Sequence, residues 1–134
     1  MTSPERPPDW PDIELVVMQG LRPLLPGVRI ADEVPPRVET LLPVVTVQAA
    51  PGGGYDRITG TAALDVSAMA ATRGAMWTLA RRVRAALHTL PGTGPGGHRI
   101  DTVTGDWPVE IPYGNPGLRR AIATYAVTLR ATDT

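Results

Sequence analysis

Three kinds of chemistry can be sought in this 134-residue chain: phosphate binding at Gly52, Gly53 and Gly54, metal or acid–base work by two histidines and scattered carboxylates, and charge contacts from thirteen arginines. A Walker-type loop needs G-x-x-x-x-G-K-[ST], in which backbone N–H groups wrap the phosphates and a lysine completes the charge. The chain has no lysine. The dinucleotide pattern G-x-G-x-x-G fails as well, because the glycines lead into Tyr55, Asp56 and Arg57 with no amphipathic helix opening there. His88 and His98 have no third ligand at a metal-binding spacing. Asp56, Asp65, Asp101, Asp106 and Glu110 carry no spacing that separates them from turn formers and surface charges. Neither Ser3 nor Ser67 sits in a G-x-S-x-G turn, and no cysteine is present to act as nucleophile or thiolate ligand. The residues point to no enzyme and no bound cofactor.

The arginines remain. Three fall in "LARRVRAAL", including Arg81 and Arg84, while Arg119 and Arg120 lead the last strand. A nucleic-acid surface would use them on phosphates; a solvated helix face would let their stems cover neighbouring apolar surface. Thirteen acidic residues cancel the thirteen arginines and aromatic interleaving is sparse, which argues against bulk nucleic acid as partner.

The elements that must position these residues follow from periodicity. Four prolines in the first eleven residues make residues 1–10 a loose arm, and residues 11–134 suit a single domain. Asp9 and Asp12 resemble a helix start, with Pro11 in the first turn; Ile13, Val16, Val17, Leu21 and Leu24 then form an apolar stripe until Pro23 bends or ends the helix. "GVRIAD" reads as a short strand and "EVPPRVET" as a Pro-broken connection to a strand beginning near Leu41. Val45 and Val47 alternate with Thr46 and Gln48, and Ala62, Leu64 and Val66 with Thr61, Ala63 and Asp65, so "APGGGYDR" between them is expected to be the long, mobile tip of an antiparallel hairpin. Met76, Leu79, Ala80, Val83, Ala86, Leu87 and Leu90 share one face at helical spacing, with Arg81, Arg84, Ala85 and His88 opposite. A strand around residues 100–103, an irregular "GDWPVEIPYGNPG" and a final strand presenting Ala123, Tyr125, Val127 and Leu129 complete the chain. The expected class is α+β: a mostly antiparallel sheet with one long amphipathic helix packed on it and a shorter N-terminal helix.

Trp77 sits on the flank of the long helix nearest Arg81 and Arg84, where the domain's own core does not require an indole. Cover by the Pro-rich arm, by another subunit or by the monomer itself are all open, and Arg81, one turn away, is placed for a cation–π contact. The amino terminus has no apolar signal core and no segment approaches the ~20 apolar residues of a membrane span, so the chain is expected to be soluble and unexported.

Taken in order, the opening helix, "LPGVRI", "LPVVTV", the "GGGYD" turn, the small-residue strand running into a Trp- and Arg-bearing helix, and the closing "PYGNPGLRRAIATYAVTLR" resemble the tail terminator (tail completion) proteins of long-tailed phages infecting actinobacteria. The resemblance implies a small α+β subunit forming a ring, usually a hexamer, that caps the head-proximal end of the tail tube and joins it to the head connector. It implies no cofactor and no catalysis. The implied partners are further copies of the chain, the tail tube protein and head–tail connector proteins, with no membrane and with double-stranded DNA at most passing through the ring lumen. The implied place is the neck of the virion, reached after assembly in the host cytoplasm. The candidate contact residues are Gly52, Gly53, Gly54, Tyr55, Asp56, Arg57, Trp77, Arg81, Arg84, Arg119 and Arg120. A head-closure or connector protein of the same neck, and a small Arg-bearing nucleic-acid-binding domain, are the alternative readings.

Overall fold

The computed structural model describes residues 12–55 and 59–130; the expected arm over residues 1–10, and Asp56 and Arg57, lie outside the described residues. The first helix, α1 (Ile13–Leu21), starts where Asp12 accepts a hydrogen bond from the Leu15 N–H, one of the donors a helix start leaves unpaired. It gives way to a 3-10 turn at Arg22–Leu24, with Pro23 ending the regular hydrogen bonding as its missing N–H requires. The helical stripe therefore stops early: Leu24 is exposed, and Leu25 is buried in its place.

Among the described residues, six strands form one sheet: β1 (Arg29–Ala31), β2 (Val44–Tyr55), β3 (Thr59–Ala70), β4 (Ile100–Gly105), β5 (Val109–Glu110) and β6 (Arg119–Arg130). The order is β1-β2-β3-β6-β4, with β5 also pairing β6. The sheet is mixed: β1 runs parallel to β2, whereas every other pairing is antiparallel. A parallel pair needs a crossover of about a dozen residues. Residues 32–43, which include the "EVPPRVET" segment, supply it and bury Val38 against Val44, Met69 and Leu118, a small cluster on the sheet face opposite the helices.

The hairpin is longer than its composition indicates. Gly53 and Gly54 pair with Ala62 and Thr61, and Tyr55 with Gly60, so the glycines belong to strand β2 and not to a loop. The register shifts by a bulge between Ala50 and Gly53, where Pro51 can withhold its missing N–H.

The long helix α2 (Arg73–His88) is capped by Thr72, whose hydroxyl accepts from the Ala75 N–H. Its apolar face is the one read from spacing: Met76, Leu79, Ala80, Val83, Ala86 and Leu87 are buried. They meet Val45, Val47, Leu64, Val66, Tyr125 and Val127 of the sheet in one core cluster that α1 completes with Val16, Val17 and Leu21. Each fully buried aliphatic side chain of this kind contributes about 1.5–3 kcal/mol. Among the described residues, no helix is long and apolar enough to cross a membrane.

Candidate interaction surfaces

The candidate residues do not converge on one site. Gly54 and Tyr55 lie at the far end of the hairpin, whereas Arg119 pairs with Ala70 at the other end of the sheet. About ten residues of strand separate the two ends, roughly 34 Å at ~3.4 Å per residue.

At the Arg119 end, one carboxylate gathers two arginines: Glu110 accepts from Arg119 at 2.9 Å and forms an ion pair with Arg73, at the start of α2, at 3.0 Å. Exposed pairs of this kind contribute about 0–1 kcal/mol each; their effect is to hold β5, β6 and α2 together. Beside them, residues 110–120 line an open cleft of about 730 Å³. Arg120 lies over the Tyr113 ring at 4.8 Å, and its buried Nε has no protein partner among the described residues.

On α2, Arg81 is exposed, Arg84 half-buried and Trp77 half-buried against the main core. The cation–π contact expected between Arg81 and Trp77 forms elsewhere. Arg84 stacks on Trp107, 4.3 Å from the ring centroid, and donates to the Asp106 carbonyl at 2.8 Å. Burial raises the pKa of Tyr125, and the neighbouring Arg84 guanidinium opposes that rise.

Trp107 was not among the residues singled out by sequence, yet among the described residues it is the most exposed of the large apolar side chains at 76%. Its position comes from an irregular sheet edge. From Gly105 to Val109 the edge advances four residues, while the partner strand β6 advances only three, from Tyr125 to Ile122. The extra residue makes a bulge around Trp107 and Pro108, and Val109 beyond it is also exposed. The signal available in the sequence was a tryptophan followed by proline inside a segment without periodicity, which marks an interruption but not its direction.

A second apolar feature lies on the other flank of α2. Pro43, Ala70, Ala71, Ala75, Leu79 and Arg82 help line a groove of about 410 Å³ between the helix and the sheet end where β2 begins and β3 ends. No group of three or more His, Cys, Asp or Glu side chains suited to a metal occurs among the described residues.

The described residues thus form a mixed six-stranded sheet with helices on one face and two unlike apolar features on the flanks of α2. The model of the phage tail termination protein family matches residues 9–105, and the chain belongs to that family. It is a structural tail-completion protein of the virion. Among solved structures, a chain described as "Virion of native gene transfer agent (GTA) particle" shares the fold with a TM-score of 0.58 at 19% identity, covering 88% of this chain and 94% of that one. No curated protein matches.

Proposed function

We propose that this chain is a ring-forming tail terminator, most simply a hexamer, that occupies the head-proximal end of the tail tube in the virion neck and joins it to the head connector. The family match over residues 9–105 carries the proposal. A tube grows by repeating one heterologous contact and stays open until a different subunit occupies its end without offering the same surface onward. The likeness to a chain of a gene transfer agent virion supports a place in a particle of this kind. The reading takes residues 11–134 as one domain and residues 1–10 as an arm. It gives contact roles to the hairpin end with Gly52, Gly53, Gly54, Tyr55, Asp56 and Arg57, to the uncovered part of Trp77, and to Arg81, Arg84, Arg119 and Arg120. The resemblance to terminators of actinobacterial phages is the basis for taking the particle as one of that group, and a chain rich in arginine and without lysine suits a GC-rich genome.

Removing the gene is expected to give tails of abnormal length that fail to join filled heads, and adding purified protein is expected to restore joining. Normal tails joined to heads in its absence would overturn the proposal. Tails of normal length left unjoined would favour a connector role instead.

A further inference from the structure

Trp107 and the Arg82 groove lie on opposite flanks of α2. Ala75, Thr78, Leu79 and Arg82 are spaced by three and four residues and share one side of the helix. Arg84, two residues past Arg82, is turned about 200° away, and there it carries Trp107 on its guanidinium. The sheet order places the two flanks toward opposite edges: the groove takes Pro43 from the start of β2, whereas Trp107 stands on the β4 and β5 edge outside β6. A single chain thus carries a projecting aromatic on one side and an apolar recess on the other, the two unlike patches that a closed head-to-tail ring needs.

We propose that Trp107 of each copy seats in the α2 groove of the next copy. The charges agree with this occupant. Asp106, exposed beside Trp107, would be brought to exposed Arg82 at the groove, and neither side chain is held in an ion pair among the described residues. The Arg82 guanidinium can also stack on the incoming indole, as Arg84 does on the other ring face within its own chain. A groove of about 410 Å³ has room for one indole. Trp107 is stacked on Arg84 before it docks, so little side-chain freedom remains to be lost, which favours association. Trp107 lies beyond residues 9–105 that the family model matches, so family membership does not itself assign the contact.

The proposal rests on the ring reading, and the test separates the two. The full chain is studied by light scattering and sedimentation over a range of concentrations, together with Trp107→Ala, which removes the projecting ring, and Thr78→Trp, which fills the recess. Each variant alone is expected to associate at least roughly 30-fold more weakly than the parent, the loss typical of truncating a central aromatic at an interface. Mixed together, the two variants retain one sound half each and are expected to give 1:1 dimers that grow no further. Arg82→Asp and Asp106→Arg should each weaken assembly, and the double variant should recover it. Rings formed equally well by Trp107→Ala would overturn this contact while leaving the ring reading intact. A parent chain that stays monomeric in solution and in particles would overturn both. Assembly lost on deleting residues 1–11 but kept in Trp107→Ala would assign the groove to the arm and overturn the proposal. Unfolding is monitored by circular dichroism, and a variant that fails to fold is replaced by the charge-exchange pair.

Discussion

Gly105 and Tyr125 face each other across β4 and β6, and the phenol ring lies so close over the glycine that a Cβ there would sit inside the contact distance of Cγ, Cδ2 and Cε2 of the ring. The ring has little room to shift, because Tyr125 is buried at 2% exposure in the main core. Gly105→Ala is therefore expected to destabilise the fold by about 1–3 kcal/mol, the usual cost of forcing extra volume into a packed site. Urea unfolding monitored by tryptophan fluorescence measures it, and an unchanged midpoint would mean that the ring turns aside without strain. The same pair precedes the proposed contact: Asp106 and Trp107 follow Gly105 directly, and Arg84 donates to the Asp106 carbonyl while it stacks on Trp107.

At the level of elements, β2 is longer than the parallel strand that covers it, so its outer edge beyond Thr46 needs another partner. Glu14 of α1 provides one, accepting the Ala49 N–H at 2.5 Å. A charged side chain at an open edge also discourages unwanted strand pairing. Glu14→Ala is expected to speed hydrogen exchange at the Ala49 amide by at least about tenfold while leaving the amides of central strand β3 protected, since the loss is local. Exchange followed residue by residue tests this; no change at Ala49 would show that another group holds that edge. Gly20 makes a comparable fit for α1, because a Cβ at that position would press on Leu90 and Pro95 beyond the end of α2.

For the molecule as a whole, the two described tryptophans are expected to separate folding from the proposed assembly. Trp77 packs on the main core and Trp107 projects from the sheet edge. Trp77→Ala is expected to lower the melting temperature by several degrees, following from about 1–2 kcal/mol of lost packing for a half-buried indole. Trp107→Ala is expected to leave the melting temperature of the dissociated chain within about 2 °C, because its ring is mostly in water already. Calorimetry on dilute samples of both distinguishes them, and equal losses would place Trp107 in the monomer's stability.

The class, the two helices and the long strands were legible in the residues, because a helix or strand with one buried face must repeat its apolar positions every 3.6 or 2 residues. Met76 to Leu87 and Ala121 to Leu129 do so over their whole length. Helix starts were legible at Asp12, where a short polar side chain serves the unpaired N–H groups locally. The resemblance in element order reached the family as well. Long-range pairing was not legible. That β1 lies parallel to β2, that Gly53 and Gly54 are strand, and that β4 and β5 share one partner across a bulge all depend on which segments meet, and such contacts have no periodicity. The exposure of Trp107 is decided there too. Its own neighbours, Asp106 and Pro108, specify only an interruption, whereas the one-residue mismatch between the edge and β6 turns the indole outward onto Arg84.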